Sequence, residues 1–575
     1  MNRKLMAEYL SPGVYVEEFD SGPTPMQGVS TSTAGFIGLA EKGPVSGSPV
    51  FVSSFSDFTR KFGGYLQKSE FAEYRYLAHA ISHFFGNGGA RAFVMRVAPP
   101  DAAVAGLKCG ELLQFQAKNP GNWGNRVVIT VTAASKAKTQ VFEDSGSGQY
   151  VLKSAVDFHP GDVVVLEGPG GQEYGMVSAV EGNNVTMEKP FASEEVVDTA
   201  LLPKTTLRTC ELNIEIHCED AVETYENVSF NITTPNFIEK LMAKSELVDV
   251  TAVHNDQSVA PIDLVRAAAG SDKDVVKLQL SGGLNGTAAA LTDGDFIGED
   301  KGPGQRTGIQ AFLDNSDVSL MAVPGIVAPN VQLSLVAHCE RLGSRFAVLD
   351  MPQDAKSVTD IMNHRNIVDS DYCAMYHPWL EVYDPLDKRN TYIPPSGSVL
   401  GIYARSDNTR GVHKAPANET VANCTGLSVT YNTAEQDMLN PNGVNLIRRF
   451  PGQGIRVWGA RTASSKPLWK YVNVRRLFIF LEESIKANTN WVVFEPNDEL
   501  LWIRVRRTIE VFLEGVWRSG ALAGATTADA FFVNIGTNTM TQDDIDNGRL
   551  VCVIGVAPVK PAEFVIFRLT QKTGE

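Results

Sequence analysis

The clearest pattern of apolar and polar positions lies between Gly443 and Gly520. Within WKYVNVRRLFIFLEESIKAN, apolar side chains recur every three or four residues, at Val474, Leu477, Phe478, Leu481 and Ile485. Charged side chains fill the positions between them. This spacing predicts an amphipathic helix that buries one face.

A second segment with the same spacing follows, from Asn497 to Trp517. Its apolar positions are Leu501, Val505, Ile509, Phe512, Leu513 and Val516. Asn497 or Asp498 stands where an N-cap is expected, directly after Pro496, so the pattern predicts a second helix. Between the two helices, the β-branched and aromatic run WVVFEP predicts a buried strand or an extended crossover.

Shorter patterns organise the remaining chain. The alternating run from Val14 to Phe19 is bounded by Pro and Gly on both sides, which predicts a short strand that needs a sheet edge to pair with. Residues 134–208 contain short strands broken by GPGG and EGNN turns, a pattern typical of a small all-β insertion. Residues 308–352 alternate strand, helix and strand, which predicts parallel strands joined by a right-handed crossover.

The composition is that of an ordinary folded protein. A chain of 575 residues is too long for one hydrophobic core and suggests two to four domains. The first residues lack the apolar core of a signal peptide, and no segment approaches the ~18 apolar residues of a membrane span, so we expect a cytoplasmic protein without membrane insertion. Seven scattered cysteines form no CxxC pair, so we expect neither a disulfide framework nor a zinc site.

The charge distribution is uneven. The chain has a formal net charge of −15, yet the stretch from Arg448 to Arg518 contains 13 Lys and Arg against 7 Asp and Glu. Two interpretations of this basic stretch remain open. Its arginines are either solvated and paired with nearby carboxylates, or they form a face that meets an acidic partner. The acidic balance of the whole chain opposes nucleic-acid binding.

No catalytic pattern stands out. The nine histidines are dispersed, and the chain contains no GxSxG, HExxH, GxGxxG or GKS/GKT motif. The acidic loop DGDFIGED lacks the full EF-hand spacing, so a solvated turn is favoured over a calcium site. We therefore expect no enzyme activity, no catalytic residues, no metal and no cofactor.

Several long segments resemble one family. VWGART, WKYVNVRRLFIFLEESI and WVVFEPN, preceded by PWLEVYDP, IPPSGSVLGIYARSDNTRGVHKAPAN and LNPNGVNLIRRFPG, are similar in sequence and order to the C-terminal core of contractile tail sheath proteins. These proteins occur in phage tails and in related contractile injection systems. The resemblance is dense from Met351 to Gln571, and AGFIGLAEKGP and NGGARAFVMRV look like the family's N-terminal core segment.

The resemblance implies a multidomain, mixed α/β (α+β) fold. An α/β sheath core is expected from both ends of the chain, with β-rich outer domains inserted between them. The implied divisions are an N-terminal linking arm (1–22), the N-terminal part of the core (23–100), an inserted β-rich outer region (101–300, with the all-β insertion at 134–208), an α/β segment (301–350), the C-terminal core (351–560) and a C-terminal linking arm (561–575).

The resemblance also implies the function. The chain is expected to be a structural subunit that polymerises helically around an inner tube and contracts to drive the tube through a target envelope. Its implied partners are itself, with paralogous sheath subunits as a further option, the inner tube protein, and baseplate and terminal cap proteins. Assembly is expected in the bacterial cytoplasm, of a host or a producer, as part of a phage tail or phage-tail-like particle.

Two sets of residues are implied as functional. The terminal arms are expected to add strands to neighbouring subunits through Val14, Tyr15, Val16, Phe19, Phe564, Val565, Ile566 and Phe567. Basic residues expected to face an acidic tube are Arg475, Arg476, Arg504, Arg506, Arg507 and Arg518. The alternative hypothesis is a multidomain cytoplasmic α/β enzyme of unidentified chemistry, which would purify as a discrete monomer or dimer with small-molecule turnover.

Overall fold

The computed structural model describes residues 26–192, 204–252, 260–564 and 566. These residues divide into two compact units. The larger unit consists of described residues between 32 and 408 together with 416–472. The smaller unit consists of 26–31, 409–415 and the described residues from 473 onward.

The larger unit begins with a segment of mixed strands and helices: β1 (Ala34–Leu39), β2 (Val50–Val52), α1 (Phe55–Phe62), α2 (Lys68–Phe71), α3 (Leu77–Gly86) and β3 (Ala92–Val97). The next segment is rich in strands: β4 (Gly106–Cys109), β5 (Leu113–Ala117), β6 (Val128–Ala134), β7 (Lys138–Gly146), β8 (Gln149–Leu152), β9 (Val163–Gly168), β10 (Gly171–Glu181), β11 (Asn184–Met187), β12 (Thr206–Thr209), β13 (Glu211–Cys218), β14 (Ala221–Val228), α4 (Ile238–Met242), β15 (Val248–Ala252), α5 (Pro261–Ala269), β16 (Val275–Gln279) and α6 (Asp293–Ile297).

The chain then returns to alternating strands and helices: β17 (Leu320–Ala322), α7 (Pro329–Leu342), β18 (Phe346–Asp350), α8 (Val358–Arg365), β19 (Cys373–His377), β20 (Leu380–Asp384), β21 (Arg389–Ile393), α9 (Ser396–Arg410), β22 (Glu419–Thr420), β23 (Gly426–Leu427), α10 (Thr433–Leu439), β24 (Val444–Phe450) and β25 (Gly454–Val457). The remaining elements are α11 (Val472–Asn488), α12 (Glu499–Arg518), α13 (Thr527–Ala530), β26 (Phe531–Ile535), α14 (Gln542–Asp546) and β27 (Cys552–Val556).

A nine-stranded sheet forms the centre of the larger unit, in the order β2-β3-β1-β17-β18-β19-β24-β25-β22. The six strands from β3 to β24 run parallel, and the outer strands β2, β25 and β22 pair antiparallel. Strands β1 and β18 are buried along their whole length, as expected for parallel strands covered on both faces. The parallel pairing of β17 and β18 across α7 confirms the crossover predicted from the sequence.

The central sheet takes strands from before residue 100 and from after residue 319, so the β-rich segment is inserted into the core. Part of this segment is a four-stranded sheet, β14-β13-β6-β16, which shares a hydrophobic core with β4, β5, α4 and α5. Six further strands form a closed barrel in the order β10-β11-β8-β7-β12-β9, with its own core. This barrel occupies most of the predicted all-β segment 134–208. The chain enters and leaves it at Ala134 and Glu211, which are paired neighbours on β6 and β13.

In the smaller unit, α11 and α12 contribute their predicted apolar faces to one core. This core contains Leu477, Leu481, Leu501, Val505, Ile509, Phe512, Leu513 and Val516, and it is completed by β26 and β27. The Asp498 carboxylate accepts a hydrogen bond from the Leu501 N–H at 2.9 Å, so Asp498 is the N-cap of α12.

The prediction for WVVFEP was wrong. The segment is neither a buried strand nor an extended crossover, because a short 3-10 turn spans Asn490–Val492, a further turn follows at Val493 and Phe494, and the side chains of these two residues are exposed. Residues of high β-propensity form a strand only where a neighbouring strand pairs with them, and none of the described strands pairs with this segment.

Candidate functional site

The predicted arm residues lie largely beyond the described part of the chain. Val14, Tyr15, Val16 and Phe19, together with Val565 and Phe567, are outside the described residues. Phe564 and Ile566 are described, and both side chains are exposed. The structure does describe residues 26–31, which follow the first predicted arm after a short gap, and residues 557–560, which precede the second.

The segment after the first predicted arm lies along α11. The Gln27 N–H donates to the Asn488 side-chain oxygen at 3.3 Å, and the Asn488 amide donates back to the Gln27 carbonyl at 2.9 Å. Further along, the Val29 N–H donates to Ser484 Oγ at 3.1 Å. Gly28 lies so close to the Phe480 ring that a Cβ at this position would sit 2.7 Å from it. Residues 27–29 are therefore fixed to the C-terminal half of α11, a few residues after the end of the predicted arm 1–22.

The other predicted arm follows a second fixed segment of the smaller unit. After β27, the Ala557 N–H donates to the Ala530 carbonyl at 2.8 Å, and the Val559 N–H donates to the Ala521 carbonyl at 3.2 Å. The chain then continues past Lys560 without regular secondary structure as far as Phe564. Both predicted arms therefore extend from the smaller unit.

The sheet beside this second attachment is incomplete. Strands β26 and β27 pair antiparallel, and no third described strand joins them. Their inner face packs on α12 through Val533 and Ile535, while Phe532 and Val553 leave about half of their side-chain surface exposed on the outer face. A two-stranded sheet is marginal by itself, and its unpaired edges and apolar outer face are suited to added strands.

The structure corrects the prediction for two of the six basic residues. Arg475 is 6% exposed and Arg476 is 4% exposed, so neither can face a partner. The Arg476 guanidinium donates to the Thr31 carbonyl at 2.9 Å, and Asn473, one turn earlier, donates to the His413 carbonyl at 2.8 Å. The first half of α11 is thus enclosed by segments that are distant in sequence, which the helical pattern could not indicate.

The other four basic residues lie on α12 and are exposed. Arg506 donates to the Ile535 carbonyl at 2.6 Å and so ties α12 to β26. Arg518 pairs with Glu514 on the same helix. Arg504 lies 3.9 Å from a Glu495 carboxylate oxygen, and Arg507 makes no ion pair with any described residue. Arg504 and Arg507 are one turn apart on the face of α12 that points away from its buried positions.

The larger unit has titratable groups with shifted pKa values, but packing explains them. Burial raises the pKa of Asp350 to about 6, and its carboxylate accepts hydrogen bonds from the Ser396 N–H and hydroxyl at 2.8 and 2.7 Å. This contact fixes the start of α9. Burial also lowers the pKa of His79 to about 4, and its ring lies beside an ion pair in which Arg75 Nη1 is 2.5 Å from Asp384 Oδ2.

The described residues show neither a cluster of metal ligands nor a membrane-spanning helix. They contain no group of three or more His, Cys, Asp or Glu placed to hold a metal ion. Their helices include none with the length and apolar content needed to cross a membrane.

The chain from residue 301 to residue 572 matches two domains of one known protein family. Residues 301–463 match the phage tail sheath protein central domain, and residues 464–572 match the phage tail sheath C-terminal domain.

Individual proteins that are similar in sequence to this chain are also tail sheath proteins. The tail sheath protein of Escherichia phage P2 is 25% identical over 294 residues, covering 49% of this chain and 72% of the relative. The tail sheath protein of Salmonella phage ViI is 25% identical over 247 residues, covering 39% of this chain and 38% of the relative. That of Enterobacteria phage T4 is 27% identical over 215 residues, covering 37% of this chain and 31% of the relative. The chain therefore spans well under half the length of two of these relatives.

Solved structures share the fold over almost the whole chain. A sheath complex of an extracellular contractile injection system, in the contracted state, superposes with a TM-score of 0.52 at 20% identity and covers 99% of both chains. A sheath tail protein from Listeria innocua has a TM-score of 0.52 at 12% identity and covers 93% of this chain and 96% of the other.

Proposed function

Because the chain belongs to the contractile tail sheath family, we propose that it is a structural subunit that polymerises helically around an inner tube. Contraction of the polymer would drive the tube through a target envelope. The chain is accordingly part of a phage tail or phage-tail-like particle. Assembly in the cytoplasm of a host or producer bacterium belongs to the proposal.

The observation that carries the proposal is the incomplete sheet of the smaller unit. Strands β26 and β27 leave edges and the apolar face at Phe532 and Val553 uncovered, while both predicted arms extend from the same unit. Arms at 1–22 and 561–575 can supply the missing strands only to a sheet that has room for them. We infer that the arms of one subunit pair with β26 and β27 of its neighbours, through main-chain hydrogen bonds that depend little on sequence.

Such connections suit a lattice that rearranges. Main-chain pairing between neighbours can persist while the cores rotate and exchange their contacts. In this proposal the cores are built from 23–100, 301–350 and 351–560, and the inserted region 101–300 lies on the outside of the tube. The free energy of contraction comes from interfaces between subunits, so the subunit needs neither a cofactor nor an active site.

The remaining partners follow from the same arrangement. Arg504, Arg506, Arg507 and Arg518 form the basic surface that we assign to an acidic inner tube. Among the described residues, Arg504 and Arg518 have carboxylate partners, whereas Arg506 and Arg507 have none. Baseplate and terminal cap proteins are the expected partners at the two ends of the polymer. Paralogous sheath subunits are a further expected partner.

The proposal is tested by the assembly state of the full-length protein. We expect negative-stain images of the purified protein to show long tubes of fixed diameter, and co-expression with its tube protein to give longer, narrower particles. A protein that stays a monomer or dimer in both preparations would contradict the proposal. Turnover of a small molecule by that discrete species would favour the enzyme alternative.

A further inference from the structure

The hairpin of β24 and β25 places two arginines directly opposite each other. Arg448 and Arg456 are Cα partners in this antiparallel pair, so their side chains lie on the same face of the hairpin. Both residues are partly exposed. Like charges at directly opposite positions destabilise a sheet. The stability of the subunit alone therefore gives no reason for two arginines here.

Neither arginine is neutralised within the described part of the chain. Arg448 Nη1 donates to Gln436 Oε1 at 2.6 Å, and Arg456 Nη1 donates to the Asn418 carbonyl at 3.0 Å. These acceptors are uncharged, and no carboxylate of the described residues forms an ion pair with either guanidinium. A guanidinium carries five N–H donors, so both arginines keep donors for an anionic partner.

Two aromatic rings lie on the same face of the hairpin. The ring centres of Phe450 and Trp458 are 4.4 Å apart, and the Arg448 guanidinium lies 5.6 Å from the Phe450 ring centre. Trp458 is nevertheless 37% exposed. We call these four residues the hairpin face (Arg448, Phe450, Arg456 and Trp458). Exposed Trp and Arg side chains in one cluster are the usual composition of a binding hot spot between proteins.

The sequence around the hairpin face is basic over a long stretch. Residues 438–481 contain eight Lys and Arg and no Asp or Glu. Residues 211–300 show the opposite balance, with 5 Lys and Arg against 17 Asp and Glu, a net of −12. Surfaces of opposite charge steer and orient association. Each copy of the chain therefore carries both halves of a complementary pair.

The two halves are attached to different ends of the central sheet. Strands β24 and β25 lie at one end of the nine strands, beside the edge strand β22. The acidic segment attaches near the other end, where Asn285 Nδ2 donates to the Glu70 carboxylate of α2 and the Thr287 N–H donates to Asp101, shortly after β3, at 3.0 Å. A contact that joins one surface of a copy to a different surface of the next is heterologous, and its repetition gives an open helix when the ring does not close.

We propose that the hairpin face of one copy docks on carboxylates within residues 211–300 of the next copy. This inference rests on the proposed function and adds a contact separate from the arms, which that function assigns to β26 and β27. The inserted region keeps its outward side in solvent and meets the neighbouring copy with its flank. Because the paired groups are exposed charges, the contact weakens as the salt concentration rises.

A single charge reversal separates assembly from stability. In Arg456→Glu the new carboxylate stands opposite Arg448, which turns a repulsive cross-strand pair into an attractive one. We therefore expect the melting temperature of the unassembled subunit to stay the same or to rise. The protein concentration at which tubes form in negative stain should rise on the order of tenfold, and less at high salt.

The matched control is Arg389→Glu, because Arg389 is exposed on β21 and already pairs with Asp387. This variant should form tubes at the wild-type concentration. Tube formation by Arg456→Glu at the wild-type concentration and at every salt concentration would overturn the inference.

A charge-preserving variant identifies the partner directly. Arg456→Lys keeps the positive charge and supplies an amine, so a zero-length carbodiimide crosslink reports a carboxylate in direct contact with it. Tubes are grown from a mixture of unlabelled and isotopically labelled protein, and the crosslinked peptides are identified by mass spectrometry. We expect peptides that join position 456 of one copy to residues 211–300 of another. Arg389→Lys, treated in the same way, should give no such peptides.

The failures of the two proposals are distinguishable. Crosslinks from position 456 that stay within one copy, or that reach only carboxylates outside residues 211–300, would overturn this inference while tubes still support the proposed function. If the wild-type protein forms no polymer at all, the proposed function fails and this inference fails with it.

Discussion

The closed barrel of the inserted region and the two-stranded sheet of the smaller unit differ in how many of their strand edges are paired. The barrel closes in the order β10-β11-β8-β7-β12-β9, so each strand pairs with a neighbour on both sides. The barrel also encloses a hydrophobic core of its own. Strands β26 and β27 pair only with each other among the described strands, and Phe532 remains half-exposed. Closure leaves the barrel without free edges, whereas the open sheet is supported on one face by α12 and keeps edges to which further strands can be added.

Charge separates the two regions as well. Residues 101–300 contain 14 Lys and Arg against 30 Asp and Glu, a net of −16. The rest of the chain contains 37 against 36, so the inserted region accounts for the whole net charge of −15. A strongly acidic, self-contained region is suited to a solvent-facing surface, and a nearly neutral remainder is suited to contacts between subunits.

The largest expected effect comes from removing the predicted arms, which we expect to complete the open sheets of neighbouring subunits. Truncation after Lys560, or separately removal of residues 1–20, should give a soluble, folded protein that no longer polymerises, because each arm is expected to complete a neighbour's sheet. Negative-stain images report the polymer and circular dichroism the helix content. Truncation after Arg568 keeps Phe564 to Phe567 and serves as the control. Unfolding of either long truncation would show that the arm belongs to its own subunit.

Acidification should lower the stability of the larger unit more than that of the smaller unit. Burial lowers the pKa of His79, His83 and His377 to about 4, and all three lie in the larger unit. The unfolded chain binds these protons near pH 6.5 and the folded chain only near pH 4, so the free energy of unfolding falls as the pH drops across this window. Each such histidine corresponds to about 3 kcal/mol. Asp350, with its raised pKa, contributes in the opposite direction.

Urea unfolding at pH 7 and pH 5 measures this effect, with a separate fluorescent label in each unit, because both units contain tryptophans. The variant His83→Gln keeps a polar group near Ser398 Oγ, which His83 Nδ1 contacts at 3.1 Å, and it should reduce the pH dependence. If the free energy of unfolding of this variant changes between pH 7 and pH 5 as much as that of the wild type, His83 does not contribute to the pH dependence.

Reversal of the basic surface should have a smaller effect. Arg504→Glu with Arg507→Glu should weaken the extended sheath on its tube, by roughly 0.5 to 1 kcal/mol per exposed contact in each subunit. The loss should be greater at low salt, since salt screens the wild-type attraction. Tube-bound particles are counted over a salt series, with Lys486→Glu as a control because Lys486 is exposed on α11, pairs with Glu483 and lies outside the basic surface. Counts equal to the wild type at every salt concentration would mean that these arginines are only solvated.

The smallest effect is expected from removing the barrel. Ala134 and Glu211 are paired on β6 and β13, so replacing residues 135–210 by an Asn-Gly turn converts these strands into a hairpin without moving their ends. We expect tubes of normal length with a thinner outer layer in negative stain. A soluble, folded variant that forms no tubes would show that the barrel takes part in assembly.

The sequence by itself determined the local elements. The three- and four-residue spacing of apolar positions specified α11 and α12, and Asp498 specified where α12 begins, because both depend on contacts within a few turns. The apolar runs at β17 and β18 specified parallel strands around a crossover. Turn residues between short strands indicated an all-β segment near 134–208.

Only the tertiary structure decided which surfaces are covered. Arg475 and Arg476 have the spacing of a solvated face, yet segments far away in sequence enclose them. Phe494 lies in a segment with the composition of a buried strand, yet none of the described strands pairs with that segment. Closure of the barrel and the meeting of Ala134 with Glu211 likewise depend on pairings between distant strands. Periodicity records which side of an element is apolar, but burial depends on what the rest of the chain places against that side.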